Sequence, residues 1–446
     1  MGLFRKRLEG YKGSVAMKEL KEIQVVVLMG GLGTRLKEYT KTCPKSLVPV
    51  CGKPFFDYEL ELLVQWGFRR FLFLIGYHAD MIREHYGDGS SRGISITYCE
   101  DGEKLLGTGG AVRRALPLLD DDFMLIYGDS FMDIDYEETI YRYLKGKESG
   151  SRALMTVLRN NDRFDKSNVI MENGRILLYD KHETVPEMNC IDYGICMYEK
   201  SLFEDYPEEE AFDIAVIQTA LSKEGKLEAH QVTKRFYEIG SEASLKEFED
   251  YVRHRFLEEH PAIFLDRDGV INEIVYNEDT ELLDSAANVS QFHMFPYVPD
   301  AIRRMREKGY YVFVVTNQPA AAKGKTTLTN LYDINTHFRE LVEVDDLFMC
   351  AHYPEMLPMS REPYLIRKCD CRKPKAGLLR RAAEKYRIDL SRSFMIGDSY
   401  TDVLAGREMG VKTILLGGVR CDVCMRLDGN KPDYVLKDLS EAADVI

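Results

Sequence analysis

Two carboxylates one residue apart, Asp266 and Asp268, stand in the run Asp266-Arg267-Asp268-Gly269-Val270. They directly follow the apolar run Ala262–Leu265, which reads as a strand, so both acids fall just beyond a strand end. In an open α/β sheet, ligands bind there. Val314-Val315-Thr316-Asn317, Arg372-Lys373-Pro374, Ile396-Gly397-Asp398-Ser399 and Asp402 follow in order. Between them, Cys350-Ala351-His352 and Cys369-Asp370-Cys371 bring together three soft sulfurs and an imidazole. Cys350, His352, Cys369 and Cys371 are the tetrahedral donor set that a closed, structural Zn2+ prefers. Cys421 and Cys424 form a lone pair with no visible partner and read as incidental.

A different chemistry stands near the start. The strand-like run Val25–Met29 leads into Gly30-Gly31-Leu32-Gly33-Thr34-Arg35, where missing side chains let backbone N–H groups approach a polyphosphate. Arg35 adds fixed charge. A dinucleotide fingerprint is the rival reading, and it fails twice: the third glycine is missing, and no acid stands about 20 positions on. Pro44-Lys45-Ser46-Leu47-Val48-Pro49-Val50 and Gly52-Lys53-Pro54 continue the segment.

The elements that must hold these groups alternate. Apolar strands (Val25–Met29, Phe71–Ile75, Phe123–Tyr127) are separated by amphipathic stretches such as Phe55–Trp66. Glu242 to Glu259 is charged and helix-prone and ends at His260-Pro261, after which the alternation restarts at Ala262 and recurs at Val312–Val315. The expectation is an α/β protein of two domains, each a mostly parallel sheet flanked by helices. Residues 1–20 read as an N-terminal extension, 21–258 as the first domain and 259–446 as the second.

Bulk composition excludes other classes. A chain of 446 residues with 45% hydrophobic and 30% charged residues is too apolar for disorder. Its formal net charge of -13 opposes a nucleic-acid partner, while a local basic pocket can still hold a small phosphorylated substrate. No apolar run reaches the roughly 18 residues of a membrane span, and no signal-peptide core follows Arg5, Lys6 and Arg7. Scattered cysteines do not resemble a secreted disulfide framework. These features predict a cytoplasmic protein that binds no membrane; a homo-oligomer is compatible with them.

Met29 to Pro54, followed in order by Gly107-Thr108-Gly109-Gly110, Gly128-Asp129, Asp180-Lys181 and Glu238-Ile239-Gly240, resembles the sugar-phosphate nucleotidylyltransferases over residues 23–250. Within that family, Gly30 to Leu36 and Asp192-Tyr193-Gly194-Ile195 are most similar to the heptose 1-phosphate guanylyltransferases. The resemblance implies a Rossmann-like domain in which a sugar 1-phosphate attacks the α-phosphorus of a nucleoside triphosphate, GTP by the nearer likeness. Gly30, Gly31, Gly33, Thr34, Arg35 and Lys45 would hold the triphosphate, with Gly107, Thr108 and Gly109 beside the base. Lys181 would grip the sugar phosphate, and Asp129 with Glu238 would bind Mg2+. Where relatives carry Asp and Thr, this chain has Glu238 and Ser241.

The ordered set from Asp266 to Asp402 resembles the haloacid dehalogenase superfamily over residues 261–446. That implies phosphomonoester hydrolysis with Asp266 as nucleophile and Asp268 as general acid and base. Thr316 and Lys373 would bind the transferring phosphoryl group, Asn317 and Arg372 would contact substrate, and Asp266, Asp268 and Asp398 would hold Mg2+. The stretch between Asp266 and Thr316 is too short for a large cap. The zinc loop is similar to that of heptose 1,7-bisphosphate phosphatases and of histidinol phosphate phosphatases, although Pro319-Ala320 replaces the usual Ser-Gly. Fusion of the halves points to successive steps toward a nucleotide-activated heptose. The same chemistries on another sugar, a histidinol phosphate-type activity, or a sugar-nucleotide-binding protein with one inactive domain are the alternatives.

Overall fold

The computed structural model describes residues 19–31, 36–102, 104–277, 281–417 and 430–446. They form two compact units that divide between Arg253 and His254. Leu32, Gly33, Thr34 and Arg35, like Cys421 and Cys424 and the extension up to residue 18, lie outside the described residues. Among the described residues no helix is long and apolar enough to cross a membrane.

A nine-stranded sheet builds the first unit, in the order Ser95–Glu100, Arg70–Ile75, Gln24–Leu28, Asp122–Tyr127, Cys190–Glu199, Ala153–Arg159, Leu227–Val232, Arg175–Tyr179, Val169–Glu172. The strand Gln24–Leu28 is apolar without alternation because both its faces are covered. Val25 and Val27 pack with Phe56, Leu60 and Leu63, whereas Val26 packs with Val112, Ala115 and Phe123 on the other side. The expected helix Phe55–Trp66 forms and ends at Gly67, whose φ of +114° closes it in the left-handed region.

The sheet is mixed, which corrects the expectation of a mostly parallel one. The first four strands in that order are parallel, but Cys190–Glu199 runs antiparallel to both its neighbours, Asp122–Tyr127 and Ala153–Arg159. Antiparallel pairs need no helical crossover, so they escape a reading built on strand-helix alternation. One carries a strong local signal: Asn173-Gly174 joins Val169–Glu172 to Arg175–Tyr179 with φ of +49° and +77°, the conformation a two-residue hairpin demands.

Six strands, all parallel, form the second unit's sheet in the order Asp346–Cys350, Tyr311–Asn317, His260–Leu265, Ile388–Gly397, Lys412–Leu416, Tyr434–Leu436. Ile263 and Leu265 face Ala301, Ile302 and Met305, while Phe264 faces Leu378, Leu379 and Ala382. The helix expected over Glu242–Glu259 is an α-helix only over Glu242–Val252, continued by a π-helical turn Arg253–Leu257. Its start is fixed by Ser241, which accepts from the Ser244 amide at 3.2 Å while Ser244 Oγ accepts from the Ser241 amide at 2.9 Å, a cap worth about 1 kcal/mol. The following strand begins at His260, not after Pro261. Pairing with Tyr311–Asn317 starts only at Ala262, and the register against Ile388–Gly397 shifts between Pro261 and Ile263, an irregularity suited to a residue without an N–H.

Candidate active sites

In the first unit, Gln24–Leu28 delivers Met29, Gly30 and Gly31 to the carboxyl edge of the sheet. There they line a cavity of 220 Å3 with Lys45, Asp101, Gly107, Thr108, Tyr127, Gly128 and Asp129. A Cβ on Gly30 would lie 2.9 Å from Asp101 Oδ2, so the glycine is what lets a carboxylate close on the loop backbone. Glycines 107 and 109 stand against Phe212, a contact the sequence did not reveal. A Cβ on Gly107 would meet the Phe212 carbonyl at 2.7 Å and one on Gly109 the Phe212 ring at 2.2 Å. The amides of Gly109 and Gly110 also donate to Phe212 O, at 3.0 and 3.3 Å. These glycines are required by packing, and Gly107 and Thr108 nonetheless wall the cavity.

Lys45, Asp129 and Glu238 come together from three elements. The ammonium of Lys45, on the short turn Lys45–Leu47, pairs with the Asp129 carboxylate and lies 3.5 Å from Glu238 Oε1. Glu238 is carried there because Tyr237–Glu238 pairs antiparallel with Ser130–Phe131, placing Glu238 opposite Ser130. Two carboxylates around one cation are an oxygen donor set that suits Mg2+. Lys181 is not in the cavity wall. Its Nζ binds Asp213 Oδ2 at 2.7 Å, and Asp213 Oδ1 accepts from Thr108 Oγ1 at 3.2 Å, which links it to the cavity through one residue.

Sequence reasoning missed Asp101, Tyr127 and Asp213. Asp101 is buried, and burial pushes its carboxyl up to about 6 against the pull of Arg114. Its signal was available: it directly follows the strand Ser95–Glu100, at the same sheet edge as Gly30.

In the second unit the parallel strands His260–Leu265, Tyr311–Asn317 and Ile388–Gly397 bring Asp266, Thr316 and Asp398 to one edge. Oxygens of Asp266, Asp398 and Asp402 lie within 4.8 Å of one another. Lys373 Nζ sits between Asp266 Oδ1 at 2.9 Å and Asp402 Oδ1 at 2.6 Å, all but enclosed. Burial alone would push Lys373 down, but the two carboxylates outweigh it and hold it above its ordinary value. Burial pushes Asp402 up to about 7, with Lys373 pulling it down and Asp266 adding to the rise. Crowding of this kind depends on small neighbours: a Cβ on Gly269 would lie 2.2 Å from Asp398 Oδ2.

Asp268 is held on several sides. The guanidinium of fully buried Arg267 approaches at 3.2 Å, and Asn272 Nδ2 and Gln318 Nε2 donate at 3.0 and 2.6 Å. Burial raises the Asp268 carboxyl, yet the Arg267 charge and these donors outweigh it and keep it below the usual range. Gln318 Nε2 also donates to Thr316 Oγ1 at 2.9 Å, tying the two predicted groups together. Asn317 faces the chain instead of open space: its Nδ2 donates to Lys373 O at 3.1 Å and its Oδ1 accepts from Lys373 N at 3.0 Å. Arg372 lies over the Tyr353 ring at 5.8 Å.

The four cysteine and histidine donors converge as the spacing predicts. Cys350 Sγ is 3.7 Å from Cys369 Sγ and from His352 Nδ1, and Cys371 Sγ is 3.1 and 3.2 Å from Cys350 Sγ and His352 Nδ1. A tetrahedral ion with bonds of ~2.0–2.3 Å separates its ligands by roughly 3.3–3.8 Å, so the donor set fits one.

Known proteins divide along the same line. A nucleotidyl transferase family model matches residues 24–253, and a HAD-hydrolase-like model matches residues 370–442. Over 218 residues the chain is 29% identical to the D-glycero-alpha-D-manno-heptose 1-phosphate guanylyltransferase of Campylobacter jejuni, a match covering 49% of this chain and 95% of that protein. Identity to the UTP–glucose-1-phosphate uridylyltransferase of Synechocystis is 27% over 208 residues, or 43% of this chain and 53% of that protein. The D-glycero-beta-D-manno-heptose-1,7-bisphosphate 7-phosphatase of Haemophilus ducreyi is 35% identical over 187 residues, covering 40% of this chain and 93% of that protein. The chain belongs to the nucleotidyl transferase family through its first half and to the family of these phosphatases through its second. It is a bifunctional enzyme, a heptose 1-phosphate guanylyltransferase-like half fused to a heptose bisphosphate phosphatase-like half.

Proposed function

We propose that the second unit hydrolyses the 7-phosphate of D-glycero-D-manno-heptose 1,7-bisphosphate and that the first unit joins the resulting heptose 1-phosphate to a nucleotide, taken from GTP. The observation that carries the reading is the enclosed Asp266–Lys373–Asp402 arrangement beside Asp268, in a chain whose other half sets Lys45 and Asp129 in a cavity wall with Glu238 3.5 Å from Lys45. Asp266 attacks phosphorus, the bond from phosphorus to the C7 oxygen breaks, and Asp268 delivers a proton to that oxygen. Water then attacks the aspartyl-phosphate while Asp268 takes its proton, releasing phosphate and restoring Asp266. Lys373 and Thr316 stabilise the transferring group. At rest Asp268 is held as a carboxylate; an incoming phosphate dianion is a like charge that raises it toward the acid form.

In the first unit an oxygen of the sugar phosphate attacks the α-phosphorus of the triphosphate, and pyrophosphate leaves. Lys45 neutralises the phosphates, Arg35 and the loop around Gly31 hold the triphosphate, and Lys181 steers the sugar phosphate. Asp101 supports a guanine base: a carboxylate accepts from N1–H and the 2-amino group together, whereas adenine and cytosine set a ring acceptor against it. When bound, Mg2+ neutralises phosphate charge; Asp129 and Glu238 would hold it in one site, and Asp266, Asp398 and the Asp268 carbonyl in the other. Cys350, His352, Cys369 and Cys371 would hold Zn2+, anchoring the segment that continues into Arg372 and Lys373.

The test is a coupled assay on the full chain with Mg2+, either anomer of heptose 1,7-bisphosphate and each of GTP, ATP, CTP and UTP in turn. Release of phosphate and then, with GTP alone, of pyrophosphate is expected. Phosphate without pyrophosphate from any nucleotide would overturn the transferase assignment, and the absence of both would overturn the sugar.

A further inference from the structure

The first turn of the second unit gathers two imidazoles and a carboxylate that neither reaction uses. His254 lies in the π-helical turn Arg253–Leu257, Glu258 follows four residues later, and His260 opens the central strand. Turns of this width occur often at functional sites. His254 Nδ1 and His260 Nε2 lie 3.8 and 3.5 Å from the same oxygen, Glu258 Oε2, and one donor atom from each residue falls within 4.8 Å of the others. Those distances are long for hydrogen bonds and close to the roughly 3.3–3.5 Å between ligands that share a tetrahedral ion at ~2.0–2.2 Å.

The two imidazoles are held in place, and the Glu258 side chain beside them is exposed. The imidazole centroids are 4.3 Å apart, and both rings pack on Tyr311, at 5.4 and 5.1 Å. Tyr311 Oη donates to the His254 carbonyl at 3.0 Å, and the His260 amide donates to Arg387 O at 3.2 Å. His260 Nε2 is buried and makes no hydrogen bond among the described residues.

We propose that His254, Glu258 and His260 form a second transition-metal site, for zinc or an ion of similar ligand preference, with two nitrogens, one carboxylate oxygen and a position left for water. Its occupancy pins the entry to the central strand and leaves the chemistry at the strand's far end unchanged.

The test titrates the full chain with Co2+ in excess Mg2+, which keeps cobalt off the carboxylate sites of the two reactions. Cobalt at the Cys350 cluster gives a thiolate charge-transfer band. A further equivalent that binds with weak d–d absorption and no thiolate band is expected, and Zn2+ should displace it. His254→Ala and Glu258→Gln should each weaken that equivalent by at least about 10-fold, while Cys371→Ser weakens the thiolate band and spares it. Both variants should keep the wild-type rate on p-nitrophenyl phosphate and the metal-free melting temperature. A wild-type chain that binds no equivalent outside the thiolate site overturns the proposal without recourse to any variant. So does an equivalent that survives both substitutions.

Discussion

Asn317→Ala separates a residue that touches substrate from one that positions Lys373. The resemblance implied substrate contact, but both polar atoms of the Asn317 side chain are engaged by the backbone of Lys373, at 3.1 and 3.0 Å. Removing the carboxamide costs two hydrogen bonds at about 1 kcal/mol each, or roughly 2 kcal/mol of stability. For a unit of this size that is a fall of about 4–8 °C in melting temperature. The catalytic loss is expected to be larger in proportion. Lys373 Nζ is set against Asp266 and Asp402 at 2.9 and 2.6 Å, and a displacement of about 1 Å at such a site costs on the order of 10²-fold in rate. Steady-state hydrolysis of p-nitrophenyl phosphate and of the sugar bisphosphate should therefore show kcat reduced on both, with KM changed little. Asn317→Asp keeps an acceptor for the Lys373 amide but turns a carboxylate oxygen toward the Lys373 carbonyl, so it should be no better than Ala. A variant whose kcat survives while KM rises only for the sugar substrate would refute the positioning role.

Asp266→Asn should abolish phosphate release and leave pyrophosphate release from GTP, with heptose 1-phosphate as acceptor, unchanged, measured on the same preparation; loss of both would contradict separate sites. Asp101→Asn should reduce the preference for GTP over ITP by about 10-fold or more, since hydrogen bonds to a charged acceptor contribute about 1.5–3 kcal/mol. It should also flatten a pH dependence. The buried Asp101 carboxyl, at about 6 against 3.8, keeps a proton the unfolded chain has lost, so the wild type loses stability as pH rises from about 4 to 6, and urea midpoints across that window read the difference. Removal of zinc by a chelator should lower phosphatase activity and increase proteolysis near Cys350 while nucleotidyl transfer persists; a zinc-free, fully active chain would count against the Cys350, His352, Cys369 and Cys371 site.

What could be read in the amino-acid sequence followed from burial on both faces. Strands such as Val25–Val27 and Val312–Val315 are continuous apolar runs because each lies between two packed layers, and the polar residue after each run falls at the sheet edge where ligands bind. That logic finds Gly30, Asp266, Thr316 and Asp398, one strand end at a time. It does not reveal which strand ends are neighbours. Asp101 closes on Gly30, and Lys373 reaches Asp266, only because particular strands and loops meet in space. The Asn317–Lys373 clamp spans a separation of 56 residues that no local pattern encodes.

Glycine shows the same limit from the other side. The run Gly107-Thr108-Gly109-Gly110 marks a place where a side chain would not fit, and a nucleotide base was the expected occupant. In the folded chain much of that space belongs to Phe212: its carbonyl lies against Gly107 and its ring against Gly109. Phe212 is followed by Asp213, which binds Lys181 and accepts from Thr108, so the residue that demands the glycines also sets the carboxylate that orients Lys181. A missing side chain can be read from the sequence, but the occupant of the space is decided by a segment roughly a hundred residues away. Phe212→Ala should therefore loosen Lys181 and Gly107 together, raising KM for the sugar phosphate and for the nucleotide in parallel. An increase confined to one of them would show that the two contacts are independent.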